Sequence, residues 1–141
     1  MGLKVSKVEV WAASIEDRVG GLVDKLAPLS GAGANLEFVV ARRAPEQPGK
    51  GVVFVTPLAG DEQVKAAASA GFLQTGSLHS VRVEGPDRPG LGTMMAKALA
   101  NAGINLRGLS AAAIGKRFVC YLALDTAEDA EKAVRTVKNL S

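Results

Sequence analysis

Apolar residues in the second half of the chain recur at the spacings of a strand and of a helix. Val81 and Val83 alternate with polar neighbours, which predicts a half-buried strand. After a Gly/Pro-rich turn, a helical pattern covers residues 88–101, with Asp87 at the expected N-cap and Gly103 at the expected stop. The apolar positions of this helix are Leu91, Met94, Met95, Ala98 and Leu99.

Two more strands and a second helix are predicted downstream. The β-like runs 104–114 and 118–124 are joined at Gly115-Lys116, which predicts a hairpin. Thr126 then opens a helix, and Asp129 follows three residues later as in a capping box. The apolar positions of the last helix are Ala127, Ala130, Ala133, Val134, Val137 and Leu140.

The first half of the chain predicts the same series of elements. Strands are expected near residues 8–13, 34–42, 51–56 and 72–75, and helices from about residue 18 and over residues 61–70. Pro28 falls inside the first helix and is expected to kink or shorten it, because proline removes a backbone donor.

The two halves are related by an offset of 70 residues. Residues 17–20 (Asp-Arg-Val-Gly) recur as 87–90 (Asp-Arg-Pro-Gly), and residues 33–36 (Gly-Ala-Asn-Leu) recur as 103–106 (Gly-Ile-Asn-Leu). Without gaps, residues 17–36 share eight identities with residues 87–106, which indicates an internal duplication.

The predicted order β-α-β-β-α-β is that of the ferredoxin-like split βαβ fold, an α+β class. We therefore predict two tandem copies, residues 1–76 and 77–141, each an antiparallel sheet with its helices on one face. A unit of about seventy residues is marginal alone, so the copies are expected to share an interface.

One strand is missing from the second copy, because its last predicted helix ends next to Ser141. The sheet edge left open would be available for unwanted pairing, and natural proteins cover such edges. We expect residues from Leu3 onward, or a neighbouring chain, to fill this place.

Composition and charge exclude several classes of function. The chain has 141 residues, of which 48% are hydrophobic and 4% aromatic, and its net charge is +3. The apolar content excludes disorder of the whole chain, and no apolar run reaches the ~18–20 residues that span a bilayer. The cations are scattered and the two aromatic residues of one central strand, Phe118 and Tyr121, lie on opposite faces, so neither a nucleic acid nor a membrane is an expected partner.

No catalytic, metal or cofactor motif is found. His79 is the single histidine and Cys120 the single cysteine, the latter inside an apolar run typical of a buried thiol. Neither a phosphate-binding loop nor a dinucleotide fingerprint is present. We predict a protein that is not an enzyme and needs no cofactor, and a cytoplasmic location, since no secretory signal begins the chain.

The turn over residues 85–92 is the most specific local feature. A glycine-rich turn before a helix lets a ligand approach backbone amides, and Arg88 offers a planar fork for a carboxylate. The structural alternative is that Asp87 caps the helix and Arg88 is solvated. Asn105 and Asn35 open the second strand of their copies, where an amide suits both groups of a zwitterion; a turn after a helix-ending glycine explains them equally well.

The Asp-Arg-Pro-Gly-Leu turn followed by Ala-Gly-Ile-Asn-Leu at residues 102–106 resembles the signature of the ACT domain, a small β-α-β-β-α-β regulatory module that binds amino acids. The resemblance implies ligand binding between paired modules. In the second copy it implies the residues Asp87, Arg88, Pro89, Gly90, Leu91 and Asn105. In the first copy it implies Asp17, Arg18, Gly20 and Asn35. There Val19 replaces the proline and Gly21 the leucine, so this copy is expected to serve as a packing partner.

Three functions remain open. The first is a non-catalytic regulatory module that binds an amino acid between the repeats, as a homodimer or with a regulated partner protein. The second is a structural or dimerisation module without a ligand. The third, a nucleic-acid binder on the same fold, is disfavoured by the scarcity of aromatic residues.

Overall fold

A computed structural model describes residues 2–74 and 79–140. In chain order the elements are β1 (Lys4–Val8), β2 (Trp11–Glu16), α1 (Gly21–Gly31), β3 (Phe38–Arg43), β4 (Lys50–Thr56), α2 (Gly60–Ser69), β5 (Leu73–Gln74), β6 (His79–Pro86), α3 (Leu91–Asn101), β7 (Leu106–Ile114), β8 (Arg117–Leu124) and α4 (Ala127–Lys138). Thr75, the last residue of the expected strand 72–75, lies outside the described residues.

The chain divides into two compact units. The inserted unit is Glu9–Thr75, and the split unit combines Met1–Val8 with Gly76–Ser141. The repeat in the sequence predicts units of 1–76 and 77–141, so the amino-terminal residues are the main difference. They fold with the second repeat and not with the first.

Strand β1 occupies the place of the missing strand. The sheet of the split unit has the order β1-β6-β8-β7, with all neighbours antiparallel. Val5 is paired with Val83, and both contribute to the apolar core. At Gly85 a β-carbon would lie 2.8 Å from the Leu3 side chain, so this glycine lets the amino-terminal segment approach β6. The expectation that residues from Leu3 onward cover the open edge is confirmed.

The inserted unit has the same arrangement built from consecutive residues. Its sheet order is β3-β4-β2-β5, and each neighbouring pair is antiparallel. Its core is formed by Ala13, Leu29, Val53, Val55, Ala67 and Phe72. The predicted α+β, split-βαβ fold is thus present in both units.

Helix ends follow the sequence signals in most places. After α3, the Gly103 and Ile104 amides donate to the carbonyls of Ala100 and Leu99, the Schellman pattern that ends a helix. Thr126 caps α4 by accepting a hydrogen bond of 3.0 Å from the Asp129 backbone N–H. Pro28 does not shorten α1, which has 11 residues like α3.

The predicted N-cap at Asp87 is wrong. The N-cap of α3 is Gly90, in the left-handed region at a φ of 83°, and no side chain caps the helix. Asp87 lies three residues earlier, where its backbone N–H donates to the Lys116 carbonyl at 2.8 Å. The expected strand over residues 8–13 is also displaced, since β1 ends at Val8 and β2 begins at Trp11.

Within the part of the chain that the structure describes, every helix is too short or too polar to cross a bilayer.

Candidate functional site

The β6–α3 turn of the split unit presents its residues to solvent. Asp87, Arg88, Pro89 and Gly90 are all exposed. Asp87 ties the turn to the β7–β8 hairpin through its backbone, as described above. No side chain caps α3, and an uncapped helix start is a place where proteins commonly bind anions.

Two residues of this turn have additional structural contacts. Leu91 is 2% exposed and its side chain belongs to the core of the split unit. One guanidinium nitrogen of Arg88 lies 3.3 Å from the sulfur of Met94. A thioether sulfur is a weak hydrogen-bond acceptor.

The β2–α1 turn of the inserted unit has the same backbone. Gly20 is the N-cap of α1 at a φ of 84°, and no side chain caps this helix either. The Asp17 backbone N–H donates to the Gly49 carbonyl at 3.0 Å, which ties this turn to its own hairpin as Asp87 does in the split unit. The two turns are therefore structural equivalents as well as sequence repeats.

Ion pairs fix the charged residues of the inserted turn. The Asp17 carboxylate accepts a hydrogen bond of 2.7 Å from Nε of Arg43, and Arg18 forms an ion pair with Asp24. Val19, at the position of Pro89, is almost fully exposed.

Gly21 changes the packing beside this turn. A β-carbon on Gly21 would lie 2.1 Å from the carbonyl oxygen of Glu16, so only glycine fits here without movement of the backbone. In the split unit the corresponding residue is Leu91, whose side chain fills the core. Beside this turn the inserted unit also has an open cleft of about 340 Å³. The lining residues are Ile15, Glu16, Asp17, Arg18, Leu22, Ala41, Arg42, Arg43 and Gly51.

Asn105 lies far from the turn of its own unit. It directly precedes Leu106, which is paired with Leu124; Leu124 is in turn paired with His79 at the start of β6. The turn follows the other end of β6, and the 11 residues of α3 separate it from Asn105 by about 16 Å. The structure therefore does not bring Asn105 and the turn together within one unit.

Asn35 stands in the same relation to the turn of the inserted unit. Residues 36 and 37 separate it from β3, so the expectation that it opens the strand is wrong, whereas Asn105 does adjoin β7. Both asparagines are exposed and follow the glycine that ends a helix.

A polar cluster on the helix-free face of the split unit was not predicted from the sequence. Nε of Arg82 donates to the Tyr121 hydroxyl at 3.1 Å, and the guanidinium lies 3.4 Å from the Glu84 carboxylate. The hydrogen bond from Arg82 holds the pKa of Glu84 below its ordinary value. The alternation of Arg82 and Glu84 with valines indicates that both lie on the polar face of β6. Their proximity to Tyr121 depends on the β6–β8 register.

Cys120 lies in the core of the split unit, where burial raises the pKa of its thiol to about 12. Since the thiolate is the reactive form, we expect native Cys120 to resist alkylation at pH 8. Labelling with a maleimide should be slow in buffer and fast in denaturant. Equally fast labelling under both conditions would contradict the burial of this residue.

Comparison with known proteins places the fold. No family model matches the chain, and no curated protein matches its sequence. Among solved structures, a protein of Bacteroides thetaiotaomicron is similar, with a TM-score of 0.78 and 15% identity over 95% of this chain and 90% of that one. The ligand-free regulatory subunit of aspartate kinase from Thermus thermophilus has a TM-score of 0.66 and 18% identity, over 99% of this chain and 96% of that subunit.

The chain has an ACT-like fold. The aspartate kinase of Clostridium acetobutylicum, an allosteric enzyme, is also similar, with a TM-score of 0.61 and 18% identity. This match covers 98% of our chain but 33% of that enzyme. The ACT-like units thus have solved counterparts both as a separate regulatory subunit and as part of a larger chain.

Proposed function

We propose that this ACT-like protein is a non-catalytic regulatory module that binds an amino acid between ACT-like units. The observation that carries the proposal is the pair of equivalent turns. Each ends in a left-handed glycine and leaves the start of its helix without a side-chain cap. Such turns suit the carboxylate of an amino acid, which can accept hydrogen bonds from backbone amides.

The positions of the asparagines support a site shared by two units. Each turn lies at the opposite end of its sheet from Asn105 or Asn35, so the residues of one unit form only part of the expected site. A second unit, from this chain or from another copy, would supply the other part. Ligand binding would then favour one arrangement of units over another, which is the requirement for regulation of a partner protein.

Similarity to regulatory subunits and domains of aspartate kinase supports a regulatory role over a catalytic one. The Thermus thermophilus match is to a whole regulatory subunit and not to a fragment of one, because it covers nearly all of both chains. The partner of this protein would be the protein whose activity responds to the ligand.

A ligand-free dimerisation module is the second candidate. Edge strand β7 exposes apolar side chains, with Leu109 43% and Ile114 76% accessible. An exposed apolar edge is suited to pairing with another chain. This candidate predicts association of the protein in the absence of any amino acid and no thermal response to amino acids.

We expect at least one of the twenty amino acids to raise the melting temperature at millimolar concentration, and the Asn105→Ala substitution to abolish that rise. A ligand that binds only the folded state at one hundred times its dissociation constant stabilises it by about 2.7 kcal/mol. Differential scanning fluorimetry measures the shift. Asn101→Ala, an exposed position at the end of α3, is the matched control and should retain the response.

A flat response to all twenty amino acids would reject the proposal in favour of the dimerisation module. A response that survives in Asn105→Ala would instead remove this asparagine from the site. Circular dichroism of both variants establishes that the substitutions leave the fold intact.

A further inference from the structure

The helix-free face of the inserted sheet contains a trough of about 390 Å³. Ala13, Val53 and Val55 belong to the core beneath the helices, so the alternating residues of β2 and β4 lie on the opposite face. The strand register arranges six lining side chains there in two rows: Arg42, Val52 and Ser14, then Phe54, Ala12 and Leu73. A volume of this size is within the range of small-molecule sites.

Three large polar side chains interact on the same face of the split unit. The Arg82 guanidinium carbon lies 5.9 Å from the centroid of the Tyr121 ring, and the guanidinium pairs with the Glu84 carboxylate. Tyr121 is 7% exposed. This face of the split unit is therefore occupied by a cluster whose members satisfy one another.

The inserted unit has small side chains at the equivalent positions. Ala12 and Ser14 stand 70 residues before the arginine and the glutamate of that cluster. Phe54 is equivalent to Tyr121, because it is paired with Ala12 as Tyr121 is paired with Arg82. All three residues of the inserted unit line the trough, and Phe54 is partly exposed. The inserted unit thus has an aromatic ring beside small neighbours where the split unit has a filled cluster.

The connection between β3 and β4 forms one wall of the trough. Ala44, Glu46 and Gln47 of this connection are lining residues. The Ala44 backbone N–H donates to the Lys50 carbonyl at 3.0 Å, and the Gln47 backbone N–H donates to the Ala44 carbonyl at 2.9 Å. Ala44 is 6% exposed. Backbone hydrogen bonds and burial therefore hold this wall in place.

Two charged side chains line the trough, Arg42 and Glu46, and neither has an ion-pair partner among the described residues. Arg42 lies on β3, and its Nη1 donates to the Arg43 backbone carbonyl at 3.2 Å. Glu46 lies in the exposed connection. The guanidinium is the better positioned of the two because it extends from a strand, and its planar fork binds carboxylates through two parallel hydrogen bonds.

We propose that this trough binds a carboxylate with an aromatic body, of the arylalkanoate class. The ring of the ligand lies against Phe54 in the space beside Ala12, and its carboxylate pairs with Arg42. Val52 and Leu73 extend the apolar surface, and an aromatic pair adds to the gain from burial. The ligand needs no ammonium group. The inference is independent of the proposed function, because the trough and the two turns share no residue.

An NMR titration of the ¹⁵N-labelled full chain tests the inference with three probes of similar shape: 3-phenylpropionate, 3-phenylpropionamide and 3-phenylpropylamine. We expect the acid to shift the amide signals of residues 12–14, 42–47 and 52–54. It should bind about fivefold or more tightly than the neutral or the cationic probe, the upper range for an exposed ion pair.

Charge variants within the trough should act in opposite directions. Arg42→Gln should remove the preference for the acid. Glu46→Gln should preserve or increase it, because a carboxylate that repels the ligand is lost. Arg135→Gln, at an exposed position on α4 of the split unit, is the matched control and should preserve the preference.

The contrary outcomes are distinct. If the amide or the amine binds as tightly as the acid, or if Arg42→Gln retains the preference, a carboxylate ligand is rejected. Shifts confined to other residues, or no shifts at millimolar probe, reject the trough as the site. Neither result bears on an amino acid at the turns. The dispersion of amide signals outside the trough establishes that each variant is folded.

Discussion

Replacement of Val5 by Asp is expected to unfold the split unit, whereas Ser6→Asp should leave it folded. Val5 is 9% exposed, lies opposite Val83 and packs in the core of this unit. A carboxylate there loses the burial of the valine and is itself desolvated, which together cost more than about 3 kcal/mol. A unit of this size has little stability to spare.

The control variant, Ser6→Asp, introduces the same negative charge at the residue next to Val5. Ser6 is exposed and lies opposite Arg82, so an aspartate there meets a cation across the sheet. Urea denaturation followed by circular dichroism compares the two variants. Equal unfolding midpoints would mean that β1 does not complete the sheet of the split unit.

The Gly21→Ala substitution is expected to destabilise the inserted unit by about 2 kcal/mol or more. The new methyl group would lie 2.1 Å from the Glu16 carbonyl oxygen, and a backbone atom cannot move away as a flexible side chain can. Relief of such overpacking requires α1 to shift relative to β2, which costs about 1–3 kcal/mol or more in packed structures.

Gly31→Ala in the same helix is the matched control, with the opposite sign expected. A β-carbon there meets no atom within 4 Å, and Gly31 does not have the positive φ that would strain an alanine. Alanine should stabilise the helix by about 0.5–1 kcal/mol. If chemical denaturation gives both variants the same midpoint, the close approach at Gly21 is absent.

The elements were predictable because their signals are local. The stripe of α4, the cap at Thr126 and the stop at Gly103 each depend on residues within one or two turns of helix. The 70-residue repeat then supplied the topology, since both copies had to form the same fold. Pro28 was misleading, because α1 keeps its full length with the proline inside it.

The position of β1 was harder to predict because strand pairing is a long-range property. Val5 and Val8 belong to an apolar pattern that continues into β2, and the interruption at Glu9–Val10 has no turn signature. Only the missing strand of the second repeat suggested where the amino terminus belongs. Such an inference comes from counting strands and not from the local sequence.

The candidate site was predicted in its parts but not in its arrangement. The motif located both turns, yet the N-cap is Gly90 and not Asp87, because the chain makes one more turn before the helix begins. Each asparagine lies at the opposite end of the sheet from the turn of its own unit, and this placement is determined by strand register. The close approach of Gly21 to the Glu16 carbonyl joins α1 to the end of β2, and the sequence showed it only as a departure from the ACT pattern.

The most direct test of an amino-acid site on these turns is a two-dimensional ¹H–¹⁵N NMR titration of the full chain with the amino acid that raises its melting temperature most. We expect the largest amide shifts at residues 17–22 or 87–91, together with Asn35 or Asn105, and small shifts in α2 and α4. Shifts that avoid both turns, or no shifts at millimolar ligand, would contradict the account.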